Sequence, residues 1–108
     1  MAIQLPTPIG IYFKSGNAND AAALDQCFAA DAVVHDDART IEGLAAIRAW
    51  RIETKRKYSF TAEPLAIAER DAKIVVTAKV CGGFPGSPIT LDHIFEVQDG
   101  RIVSLEIG

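Results

Sequence analysis

The chain has 108 residues, 49% hydrophobic and 23% charged, with a net charge of −3. That is the size of one domain, 1–108, able to bury a core without disulfide or metal staples. The only basic run, "KRK" at Lys55–Lys57, is too short a positive footprint for nucleic acid and reads as the solvated end of a helix.

In chain order, "MAIQLPTPIG" has neither a basic segment nor a long apolar run, so no signal peptide and no membrane span are expected; a cytoplasmic location is the default. "TPIGIYFKSGNA" predicts a first helix, with Thr7 as cap and Pro8 at the first helical position. Ile9, Tyr12 and Phe13 share one face of it at i, i+3, i+4 spacing. "SGNAND" breaks that helix, and Asp20 caps a second, "AAALDQCFAAD", with Leu24, Cys27 and Phe28 on one face. "AVVHDD" is a short β-branched stretch, and "ARTIEG" reads as a small strand. Gly43 opens a third helix, 44–57, with Leu44, Ile47 and Trp50 along one side and Arg48, Arg51 and Glu53 elsewhere.

Beyond Tyr58 the pattern changes. "FTAEPLAIAER", "AKIVVTAKVCG", "SPITLDHIFEV" and "RIVSLEIG" predict four strands separated by "ERDA", "GGFPGSP" and "QDG". Short turns imply an antiparallel meander, and helices followed by strands imply an α+β fold. Ile74, Val76, Ala78 and Val80 alternate with Val75, Thr77, Lys79 and Cys81, so both faces of that strand are fairly apolar. A sheet apolar on both faces has both covered, and a second copy of the chain is the expected cover: a homodimer. Cys27 and Cys81 stand in apolar surroundings as small buried hydrophobes, and no Cys or His spacing suggests a metal site.

The segments "YFKSGNANDAAALDQCFAADAVVHD", "GLAAIRAW" and "LDHIFEVQDGRIVSL", taken in order, resemble the nuclear transport factor 2-like superfamily. That group includes ketosteroid isomerases and SnoaL-like polyketide cyclases, and the resemblance runs from Tyr12 to Leu105. It implies a cone: a strongly curved antiparallel sheet around three N-terminal helices, with a pocket at the open end. The isomerase pattern further implies catalytic roles. Tyr12 would be the oxyanion donor, Asp36 the general base, and Asp92 a protonated second donor. Phe13, Phe28, Trp50 and Ile94 would line the pocket of a hydrophobic small-molecule ligand. No cofactor and no metal are expected. The implied activity is acid–base chemistry through an enolate on a hydrophobic ketone, by a steroid isomerase-like or polyketide cyclase-like enzyme. The alternative is a non-catalytic ligand-binding or dimerisation module of the same fold.

The chemistry sets these residue types. Taking a proton from carbon with a carboxylate needs positioning and partial desolvation. Negative charge developing on oxygen calls for aimed donors, and Tyr is one at neutral pH. Asp92 can donate only if burial keeps it protonated. Binary patterning sends Asp92 to water: Ile89, Leu91, His93, Phe95 and Val97 are the apolar face, and Thr90, Asp92, Ile94 and Glu96 the polar one. The cone reading puts Asp92 in the pocket if a partner subunit covers the apolar face. His35 and His93 then point away from the pocket, His93 toward a subunit interface. Asp37 reads as a turn former, and Arg51 as a solvated helix residue or an anion clamp at the pocket.

Overall fold

The computed structural model describes residues 4–18, 20–36 and 38–108; the turn expected at Asp37 lies outside them. Helix α1 (Thr7–Asn17) buries Pro8, Ile9, Tyr12, Phe13, Ser15 and Gly16. Its N-cap is Pro6 and not Thr7, which is the first helical residue and makes no capping hydrogen bond. At the other end the Asn17 amide donates to the Ala62 carbonyl and accepts from the Ala62 N–H, both at 2.8 Å. One side chain thus supplies the two hydrogen bonds that a neighbouring strand would give.

The second helix is shorter than expected, a 3₁₀ segment over Ala21–Gln26 with Asp20 as N-cap. From Phe28 the chain is already extended, and "FAAD" belongs to strand β1 (Phe28–Asp36). The cause is tertiary. Phe28 pairs with Ile102, and the Ile102 N–H donates to the Cys27 carbonyl at 2.7 Å. Sheet pairing claims a backbone that local propensity would wind up. β2 (Arg39–Glu42) pairs back on β1. Gly43, at φ 89, turns the chain into α2 (Leu44–Tyr58). Helix α2 buries Ile47, Trp50 and Arg51 and ends in a basic last turn, Lys55, Arg56 and Lys57, which suits the carbonyl end of its dipole. No helix of the described residues is long and apolar enough to cross a membrane.

Strands β3 (Thr61–Arg70), β4 (Lys73–Cys81), β5 (Ile89–Gln98) and β6 (Arg101–Ile107) form the expected meander. The six-stranded sheet has the order β2-β1-β6-β5-β4-β3, antiparallel except for the β1–β6 pair. Asp71-Ala72 and Asp99-Gly100 make the two tight hairpin turns, all four residues at positive φ. That geometry matches the right-handed twist of the strands it joins. Register shifts at Pro64/Ala66 and Glu96/Val97 curve the sheet around the helices. The result is the α+β cone, with its core between the helices and the concave face. Phe28, Val34, Ile47, Val76, Phe95 and Leu105 are fully buried there.

The β4–β5 register settles which side chains look inward. His93 pairs with Val76 and Phe95 with Ile74; Asp92 pairs with Thr77 and Ile94 with Val75. Val76, His93 and Phe95 are buried on the concave side. Asp92 is exposed and accepts a 2.9 Å hydrogen bond from the Thr77 hydroxyl on the convex side. Strand alternation has a period of two, so a pocket position for Asp92 would have turned His93 and Phe95 out to solvent.

Candidate functional site

A cavity of about 740 Å³ opens between α1, α2 and the concave face of the sheet. Tyr12 and Phe13 reach it from α1, Asp36 from the end of β1, Trp50 and Arg51 from α2, and His93 from β5. Phe84 and Pro85, in the loop between β4 and β5, stand at its wall. That loop is pinned over the end of α2, where the Gly83 N–H donates to the Tyr58 carbonyl at 2.7 Å. Gly82 makes the approach feasible. A Cβ there would lie 2.9 Å from both the Tyr58 carbonyl oxygen and the Phe60 Cβ.

Four side chains form a continuous line along the cavity. The Trp50 indole N–H donates to the Asp36 carboxylate at 3.0 Å. The Arg51 guanidinium carbon stands 4.6 Å from the Trp50 ring centre and 4.9 Å from that of Tyr12. An Arg51 N–H donates to the Tyr12 hydroxyl oxygen. Because that oxygen is already accepting, the Tyr12 O–H is free to donate to something else. Burial pushes the Tyr12 phenol above its ordinary range, against the lowering influence of Arg51, so it keeps its proton at neutral pH.

Arg51 is unusual for an arginine. It is 4% exposed, and its Nε is buried without a hydrogen-bond partner. The ion pairs among the described residues are Arg39–Glu53 and Arg48–Asp25, and Arg51 is in neither. Three aromatic rings surround it, Phe60 at 5.1 Å being the third. His93 is 4% exposed and packs against Phe13 and Tyr12, ring centres 5.2 and 6.2 Å apart. Burial, reinforced by the nearby Arg51 charge, pushes the imidazole down to about 4, so it is neutral at physiological pH. Its Nδ1 has no partner. Cys27 is buried and its thiol pushed up to about 12, again by burial, which makes it a core residue and no nucleophile.

Of the three residues assigned catalytic roles by resemblance, Tyr12 and Asp36 share this cavity and Asp92 does not. Asp92 lies on the convex face, where its backbone N–H and carbonyl pair with Gly108. Ile94, on the same face as Asp92, is likewise not part of the cavity wall. Phe13 and Trp50 line the cavity as expected. Phe28 supports it from the core, edge-on to Tyr12 at 5.9 Å. His93 turns into the cavity instead of toward a subunit interface. Both pocket groups that the resemblance misplaced or left open had a signal in the sequence. His93 alternates with Leu91 and Phe95. Arg51 follows Ile47 and Trp50 at i, i+3, i+4 spacing, which puts it on the buried stripe of α2.

A curved sheet closed by helices over a mixed apolar and polar pocket defines a nuclear transport factor 2-like fold. Residues 12–105 match the SnoaL-like domain profile, and the chain belongs to the SnoaL-like domain family. It is 44% identical to a Sinorhizobium meliloti protein whose name proposes a polyketide cyclase, with a TM-score of 0.92 over 96% of this chain and 95% of that one. A Catenulispora acidiphila protein with a ketosteroid isomerase-like fold, solved with trimethylamine, is 18% identical, with a TM-score of 0.82 over 97% and 86% of the two chains. RV0760c from Mycobacterium tuberculosis is 17% identical, with a TM-score of 0.81 over 99% and 92%. No functionally curated protein sequence matches the chain.

Proposed function

We propose that this chain is a small-molecule enzyme that works by acid–base chemistry through an enolate on a hydrophobic ketone. The observation that carries the reading is the linked line Asp36–Trp50–Arg51–Tyr12 on one cavity wall. Asp36 is the base; the Trp50 N–H fixes its orientation. The Tyr12 O–H, backed by the Arg51 cation, faces the oxygen on which charge develops. With Asp92 outside the cavity, the second donor toward that oxygen is Arg51 or His93. Similarity to the S. meliloti protein favours a cyclase-type over a steroid substrate. A homodimer belongs to this reading too; sedimentation at twice the chain mass supports it, and a monomer mass removes it.

The test is exchange of α-protons for deuterium in hydrophobic ketones such as 2-tetralone, followed by NMR, beside isomerisation of a β,γ-unsaturated ketosteroid followed by absorbance. Exchange above buffer that disappears in Asp36→Asn supports the enzyme. Ligand binding without any Asp36-dependent exchange favours the second reading, a non-catalytic binding module, to which the position of Asp92 outside the cavity points.

A further inference from the structure

We infer that the cavity takes an acidic hydrophobic molecule, whose carboxylate lies against the Arg51 guanidinium. This substrate class deepens the proposed function and rests on that reading only for the cavity's being a ligand site. A buried ionised group is normally paired, since removing it from water is costly. Arg51 is 4% exposed, and no carboxylate among the described residues neutralises it. Its five N–H groups meet one hydroxyl oxygen, that of Tyr12, while Nε donates to nothing. The three rings around it offer cation–π attraction, which stabilises the charge but leaves the donors unused.

The surroundings select among anions. A planar guanidinium matches a carboxylate fork, and among the described residues it is the one cationic side chain lining this cavity. A phosphate dianion would bring a second negative charge into a space that already holds Asp36. His93 adds no positive charge, being neutral at physiological pH. The cavity wall also includes Tyr12, Phe13, Trp50, Phe60 and Ala62, an apolar surface that suits an aromatic or alicyclic body. Gly16 of α1 packs beside the guanidinium, where a Cβ would be in ordinary van der Waals contact with its carbon and a terminal nitrogen, both at 3.8 Å. A ligand acid at Arg51 also sets its ketone beside the Tyr12 O–H, which points to keto acids as substrates.

The experiment compares naphthalene-2-carboxylate with its uncharged carboxamide by calorimetry, on the wild type, Arg51→Met and Arg51→Lys. The carboxylate should bind at least about tenfold more tightly than the carboxamide to the wild type. Arg51→Met should erase that preference, and Arg51→Lys should keep part of it. Equal binding of the two probes overturns the inference, as does a preference that survives Arg51→Met. If Arg51→Met does not fold, a preference reduced in Arg51→Lys, which keeps the charge but not the fork, decides for the guanidinium, and an unchanged preference decides against it. Asp36-dependent exchange of a neutral ketone without any acid preference removes this inference and leaves the enzyme standing. Acid preference without exchange does the reverse.

Discussion

Strand β5 shows the same stretch of sequence serving two environments. On its concave side Leu91, His93 and Phe95 face the helices and the cavity; on its convex side Thr90, Asp92, Ile94 and Glu96 face outward. His93 and Asp92 are neighbours in sequence, yet one is buried and kept neutral while the other is exposed and bonded to a surface threonine. The difference teaches that an acid–histidine pair in a strand is not a pair in space. Which member reaches the cavity depends on register alone. Here it is the imidazole, while Asp36 enters the cavity from β1.

Carboxylate replacement breaks this comparison most directly. In the ketone exchange assay, Asp36→Asn should lower the rate by about two to four orders of magnitude, as expected for loss of a general base. Asp92→Asn should stay within about twofold, because its hydrogen bond to Thr77 is on the far side of the sheet. Equal losses in the two variants would mean that β5 presents its other face to the ligand.

His93 sharpens the same contrast through pH. Its imidazole falls from 6.5 to about 4 on folding, so between these values the unfolded chain takes up a proton that the folded chain refuses. Stability is complete above pH 6.5 and declines as pH drops toward 4, by roughly 3 kcal/mol from this residue. Urea denaturation across that window measures the slope, and His93→Gln should flatten it. A His93 imidazole that titrates near 6.5 by NMR in the folded protein would place it in water and contradict the cavity.

Much of the architecture was legible in the sequence, and the reasons are local. The strands of the meander alternate cleanly, and "QDG" and "ERDA" are turn formers at the hairpins seen. What was not legible depended on pairing at a distance. "FAAD" has helical propensity and becomes β1 only because β6 lies beside it. Asp92 illustrates the opposite error: binary patterning alone sent it outward, as found, and the residue-by-residue resemblance to isomerases pulled it in. Arg51 was ambiguous because a cation on a buried stripe contradicts the ordinary rule for charge. A site that violates that rule is where ligand chemistry is to be sought.

Asn17 tests how firmly the concave side is built. Its amide satisfies both backbone groups of Ala62 on the edge strand β3, and the residue also borders the cavity. Asn17→Ala leaves those groups without their partner and should cost about 1–3 kcal/mol in chemical denaturation. Asn17→Asp, which keeps the acceptor but sets a carboxylate oxygen against the Ala62 carbonyl, should cost at least as much. A loss below a few tenths of a kcal/mol would show that water replaces the amide and that the α1–β3 contact is not sealed.

The smallest expected effect belongs to neither face. Ala72 sits at φ 65 in the hairpin between β3 and β4, a left-handed conformation in which its Cβ is crowded. The equivalent place in the hairpin between β5 and β6 is held by Gly100, at φ 75. Ala72→Gly should therefore stabilise the protein by roughly 0.5–1 kcal/mol, relief of strain exceeding the extra freedom that glycine gives the unfolded chain. The gain should be the same at pH 5 and pH 7, since no titrating group is involved, which separates it from the His93 slope. A pH-dependent gain would tie the hairpin to the cavity, and a loss would mean that Ala72 is not held in the left-handed region.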